Sequence, residues 1–178
     1  MKWLIGGLTY LAQGWIHSYS SAFSKLGQPL SEENTKELAA YFESDILREV
    51  RIIFLDQVKP FKVYTQLKLF SLKCLFQIWG LGGLTLHHCI FLRKGMASAA
   101  PQVLRSILFH ELVHVVQYEI LGVIGFLRSY LSHYRRTREY FRIPHEQIAY
   151  SLQRIYGRYR DEPFAVRPVI ERWGRAQR

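Results

Sequence analysis

Apolar and polar positions divide the chain into helical and extended stretches. Residues 1 to 24 read as a helix and "KLGQPL" as the turn after it. Ser31 then caps a helix that runs to about Ser44, with Glu32 and Glu33 in its first turn, where the helix dipole favours acids. "REVRIIFLD" alternates basic and apolar residues before an apolar run, the pattern of a strand from about Glu49 to Leu55. Pro60 breaks the chain, Gln66 to Trp79 suits a helix with its lysines outward, and "GLGG" stops it. Residues 84 to 92, "LTLHHCIFL", read as a second strand, and "RKGMASAAP" as a loop. Pro101 opens a helix that continues to about Leu121, where Gly122 can cap it. Phe126 to Tyr140 reads as another helix, and His145 to about Tyr159 as a further one, opened by Pro144. Pro163 and Pro168 punctuate a final segment. A few strands followed by a helical half is an α+β pattern, and with no linker-like stretch residues 1–178 are expected to form one domain.

Composition adds a core and a charge. Of the 178 residues 49% are hydrophobic, which argues against disorder. The net charge is +10 and uneven: from Arg128 onward twelve arginines face five acids, with no lysine. Arginine holds planar anionic groups well, so an anionic partner for this C-terminal third is one expectation. A solvated basic surface is the other, since no nucleic-acid motif accompanies the charge. Cys74 and Cys89 lie in apolar surroundings without metal-type spacing and are expected to be buried free thiols. The opening "MKWLIGGLTYLA" has a lone Lys before an apolar run, and Ser20 and Ala22 could flank a cleavage site. Thr9 and two glycines interrupt that run, so a packed helix in a cytoplasmic protein is expected, with secretion as the alternative. The apolar stretch Leu69 to Leu86 carries Lys73 and Gln77, so no membrane span is expected there.

The chemistry concentrates in "LRSILFHELVHVVQYEILG", residues 104 to 122. His110-Glu111-Leu112-Val113-His114 is an H-E-x-x-H sequence. Residues four apart on a helix lie about 6 Å apart along the axis and about 40° apart around it, so two imidazoles can converge on one ion. Neutral imidazole suits zinc, and Glu111 on the adjoining flank can reach a metal-bound water. Leu108, Leu112, Val113, Val115 and Val116 would bury this helix. The bland alternative is a pair of hydrogen-bonded core histidines beside a buried glutamate.

A catalytic zinc needs a third protein ligand. A His six residues after His114, as in metzincins, is excluded by Ile120, and Glu119 points elsewhere on the helix. Glu146 is the best candidate: it opens the helix "HEQIAYSLQRIY", and Ala149 would permit close helix approach. The apolar face of that helix, however, centres near His145, with Glu146 roughly 110° away. His145 is therefore a rival, and His133, Glu139 or a later acid complete the alternatives.

"GLTLHHCIFLRKG", "APQVLRSILFHELVHVVQY" and "IPHEQIA" together resemble the extracellular contractile injection system core domain, a zincin-like metallopeptidase domain; "LSEENTKELAAYFESDILREVRI" resembles that family's opening helix and strand. The resemblance covers about residues 30 to 155 and implies a compact zincin-like core with helical extensions at both ends. It implies His110, His114 and Glu146 as Zn2+ ligands, Glu111 as general base, and a peptide or protein substrate laid beside the strand from Leu84 to Leu92. Many glutamate zincins carry an Asp four residues after the ligand Glu; here that position is Tyr150, whose hydroxyl could orient a ligand or stabilise the oxyanion. Tyr156 and His145 are the other candidate oxyanion donors. Of His87 and His88, only one could face the cleft from a strand.

Overall fold

The computed structural model describes residues 2–56 and 83–176. Its elements in chain order are α1 (Lys2–Ser24), α2 (Glu32–Leu38), α3 (Ser44–Glu49), β1 (Arg51–Leu55), β2 (Gly83–Leu86), β3 (Cys89–Arg93), α4 (Pro101–Thr137), α5 (Pro144–Arg158) and α6 (Val166–Arg175). The fold is α+β: many helices around one small mixed sheet. The expected helix at Gln66–Trp79 and Cys74 lie outside the described residues, as does most of the stretch Leu69 to Leu86.

Ser31 caps α2 as its sequence position suggests, its Oγ accepting from the Asn34 N–H at 3.2 Å. The helix then stops at Leu38, short of Ser44, because Tyr41 and Phe42 both turn inward and pack edge-on against Phe109. A continuous helix would splay those two rings about 100° apart. The short α3 that follows takes Glu49 out of the expected strand.

Residues 84 to 92 are not one strand. They form an antiparallel hairpin, β2 and β3, around a two-residue turn at His87 and His88. Such turns need φ > 0, and His87 has φ 57°. The turn lacks the Gly or Asn that usually announces it, which is why the run reads as continuous. Next, Lys94–Ser98 forms a 3-10 turn.

The sheet order is β1-β3-β2, with β1 parallel to β3 and Ile53 opposite Phe91. Alternation along the strands feeds two cores. Ile53 and Phe91 face one with Tyr118 and Phe126, while Ile52, Ile90 and Leu92 face another with Leu108, Leu112 and Val113. Among the described residues no strand pairs with the outer edge of β2.

α4 runs between both cores. Pro101 occupies its first turn as expected. Gly122 interrupts it as expected: its non-helical φ 67° and ψ 159° end the first half with a kink, and a second half resumes at once, to stop at Thr137 before the left-handed Arg138. The kink lets the second half, with Phe126 and Tyr130, close over the first turn of α5. Among the described residues α4 is the one helix long and apolar enough to cross a bilayer, yet 61% of its most apolar window is buried inside the protein. Its apolarity serves the core.

Candidate metal centre

Glu111 and both histidines of the H-E-x-x-H segment are buried in α4, as are Leu108, Leu112, Val113, Val115 and Val116. His110 Nε2 and His114 Nε2 face each other at 3.1 Å. Glu146 arrives from the first turn of α5, its Oε2 at 3.3 Å from His110 Nε2 and 3.4 Å from His114 Nε2. Three donor atoms on a tetrahedral ion with bonds of about 2.05 Å stand about 3.3 Å apart. The observed triangle has that size.

The protonation of the rings follows from two glutamines. Gln117 donates its amide N–H to the His145 carbonyl at 3.1 Å, so its Oε1 is the atom facing His114 Nδ1 at 2.9 Å. Gln153 donates to the carbonyl and Oγ of Ser106, each at 3.0 Å, so its Oε1 faces His110 Nδ1 at 3.2 Å. Both Nδ1 atoms therefore carry the proton, and both Nε2 atoms turn bare lone pairs toward each other and a carboxylate. That arrangement requires a cation between them, either a metal ion or an extra proton. His110, His114 and Glu146 thus form a buried trio that could hold a metal ion.

The electrostatics say the same. Burial alone would lower His114, but the Glu146 carboxylate outweighs it, helped by Glu111 and Gln117, and raises it to about 9. Burial alone would raise Glu146, but His114 and His110 outweigh it and hold the carboxyl below its usual range. Two tyrosines complete Glu146: Tyr130 donates to Oε1 at 2.8 Å and Tyr140 to Oε2 at 2.5 Å. Burial and Glu146 raise Tyr140 far above its ordinary value, so it remains a donor.

Glu111 is fixed from the sheet. Thr85 Oγ1 donates to its Oε2 at 2.7 Å and to its backbone carbonyl at 3.1 Å. Gly83 lies so close that an added Cβ would collide with Oε1. Glu111, His114, Glu146, Tyr140 and Thr85 share a cavity of about 20 Å³, room for one water.

The rivals for the third position go elsewhere. His145 is fully buried, edge-on to Phe126 and Trp173 and tilted against Tyr130, and neither ring nitrogen has a hydrogen-bond partner among the described residues. Burial first, then His114, lowers it to about 3, so it is a neutral core ring. His133 bonds the Ser129 carbonyl, Glu139 pairs with Arg142 at the surface, and Glu119 pairs with Arg167. Tyr156 stacks on Phe109 in the core, away from the trio. Tyr150 does reach the site: its ring centroid is 4.4 Å from that of His110, and burial raises its pKa. Cys89 is buried and free as expected.

Gln117, Gln153, Thr85, Tyr130 and Tyr140 are the site residues sequence reasoning misses. Gln117 left a signal, a polar residue three positions after His114 in an apolar run. Tyr130 left none, because only the Gly122 kink brings it to Glu146. The chain matches no protein-family model, no curated protein and no solved structure.

Proposed function

We propose that this chain is a zinc-dependent metallopeptidase of the glutamate-zincin type, akin to the extracellular contractile injection system core domain. The observation that carries the reading is the triangle of two bare imidazole nitrogens and one carboxylate oxygen, 3.1–3.4 Å on each edge, beside the anchored Glu111. The donor set suits zinc: two imidazoles and one carboxylate, with a fourth position left open. A divalent ion there supplies Lewis acidity, acidifying a water and polarising a carbonyl.

The chain's own residues do the rest. Thr85 fixes one oxygen of Glu111, leaving the other beside Gly83 to take a proton from an attacking water and return it to the leaving amine. Tyr150, protonated, is the donor we assign to a developing oxyanion, since the one Tyr140 O–H is already given to Glu146. The outer edge of β2 passes Glu111 at Gly83, so an extended peptide added along that edge would bring its backbone to the carboxylate.

A second reading is a catalytically silent module in which the ion pins α4 to α5. The one-water cavity and the Tyr140 hydroxyl on Glu146 favour it, since a substrate must displace that contact. Glu111→Gln separates the two. On the first reading the zinc-loaded variant keeps its metal, by elemental analysis, and loses peptide hydrolysis by at least about 10²-fold. Unchanged hydrolysis, or none in the parent at one zinc per chain, ends the peptidase reading.

A further inference from the structure

The cavity at Glu111 admits one water, but a much larger concavity adjoins the same centre beside His110. It is a groove of about 830 Å³. Ser106 of α4 and Phe141 line it opposite Gln147, Tyr150, Ser151 and Arg154, which recur on one face of α5. Two groove residues touch the ligand histidine itself: Tyr150 packs on the His110 ring, and Gln153 accepts from its Nδ1. The groove thus shares a wall, Tyr150 and Gln153, with the metal centre.

Its chemistry is specific. Arg154 is the one charged residue among those lining it, and it is exposed. Arg105, Arg142 and Arg167 are ion-paired, whereas among the described residues Arg154 pairs with no carboxylate. Phe141, 61% exposed, offers an aromatic surface in the same groove. A free guanidinium beside an exposed ring and several amide and hydroxyl groups is a receptor for a carboxylate carried on a chain with apolar neighbours. A space of this size takes several residues, which favours a side-chain carboxylate within a peptide over a chain terminus.

We propose that this groove is the specificity subsite of the peptidase, reading an Asp or Glu side chain of the substrate through Arg154. The proposal rests on the hydrolytic reading above. Eight residues separate Glu146 from Arg154, about 12 Å along the helix axis. An extended chain covers that distance in roughly three or four residues. The acid therefore stands three or four residues from the cleaved bond.

Two experiments on the full chain test it. In the first, zinc-loaded protein digests a mixed peptide library and the products are sequenced by mass spectrometry. Asp and Glu should be enriched at that spacing on one side of the cut, and Arg154→Glu should replace them with Lys and Arg. Cleavage without acidic enrichment overturns the subsite and leaves the peptidase standing. In the second, fluorescence anisotropy follows labelled octapeptides, each in an amidated form and in a form with a free C-terminus, on the zinc-loaded Glu111→Gln variant. A Glu-containing peptide should bind about tenfold tighter than its Lys counterpart, the preference vanishing in Arg154→Ala. Equal binding overturns the proposal, as does tight binding of an acid-free peptide that depends on its free C-terminus. Arg154-dependent binding of the Glu peptide, with no library peptide cut, sustains the subsite and removes the peptidase.

Discussion

Two pairs of histidines in this protein meet opposite fates. His110 and His114 are spaced by one helical turn, buried, and held with both Nε2 atoms on a single point. His87 and His88 are adjacent in a hairpin turn, half-buried, with their rings tilted together at 4.1 Å. Acids accompany both pairs. At the first, one Glu146 oxygen faces both rings. At the second, Glu49 and Glu119 take opposite nitrogens of the one His88 ring, at 3.2 and 3.3 Å. Convergence, not the presence of histidine and carboxylate, is what makes a candidate ligand set. The helical repeat supplies it and the turn does not.

The comparison is broken or upheld first by metal content. His110→Ala, His114→Ala and Glu146→Gln should each take bound zinc from one per chain to near zero after dialysis, measured by elemental analysis. The double variant His87→Ala/His88→Ala should keep it. Zinc lost only from the double variant would move the site to the hairpin.

A smaller loss is expected one layer out. Gln117→Leu and Gln153→Leu remove the acceptors that hold the rings in the Nδ1–H tautomer. Orienting partners of this kind typically contribute about 10- to 100-fold in metal affinity. Competition with a chromophoric chelator measures it. Glu49→Gln and Glu119→Gln, which orient His88, should leave the affinity unchanged.

How far the sequence carried these residues follows the same division. The two histidines, Glu111 and the apolar residues around them were legible because they obey the 3.6-residue repeat of one helix. Pro101 and Ser31 were legible because helix starts are local. The choice between Glu146 and His145 was not local. Both are buried, since the kinked α4 covers two adjacent faces of the first turn of α5, and only one of those faces looks at the trio. The hairpin was hidden because His87 adopts a left-handed conformation without the glycine that marks one. Tyr130 and Tyr140 depended on that same long-range closure of α4 over α5.

Acidity should distinguish the pairs by sign. His114, raised to about 9 by Glu146 against its burial, stabilises the metal-free fold fully below pH 6.5 and loses that contribution as pH rises through about 9. His87 and His88 are lowered, chiefly by burial, so their contribution is full above pH 6.5 and is lost as pH falls below it. In chelator, melting temperature should therefore decline between pH 7 and 10, and His114→Gln should flatten that decline. His88→Asn should soften the acid side alone. Proton and cation compete for the same Nε2, so zinc affinity should weaken by about tenfold per unit as pH drops below 9. An affinity independent of pH would mean that the ion binds elsewhere.

The smallest effect belongs to the turn backbone. His87 holds φ 57°, a region that costs an ordinary residue about 1–2 kcal/mol. Glycine relieves that strain but has more freedom to lose on folding, so His87→Gly should raise stability by no more than about 1 kcal/mol. His87→Val, branched at Cβ, should lower it by at least as much. Urea unfolding reads both as a shifted midpoint at constant m-value. Neither should change zinc content, because the two turn residues meet α4 through the His88–Glu119 contact and the ring of Tyr118, not through the trio. A zinc loss in His87→Gly would mean that the turn sets the position of β2, and with it Thr85 and Glu111, so that the two histidine pairs are mechanically coupled after all.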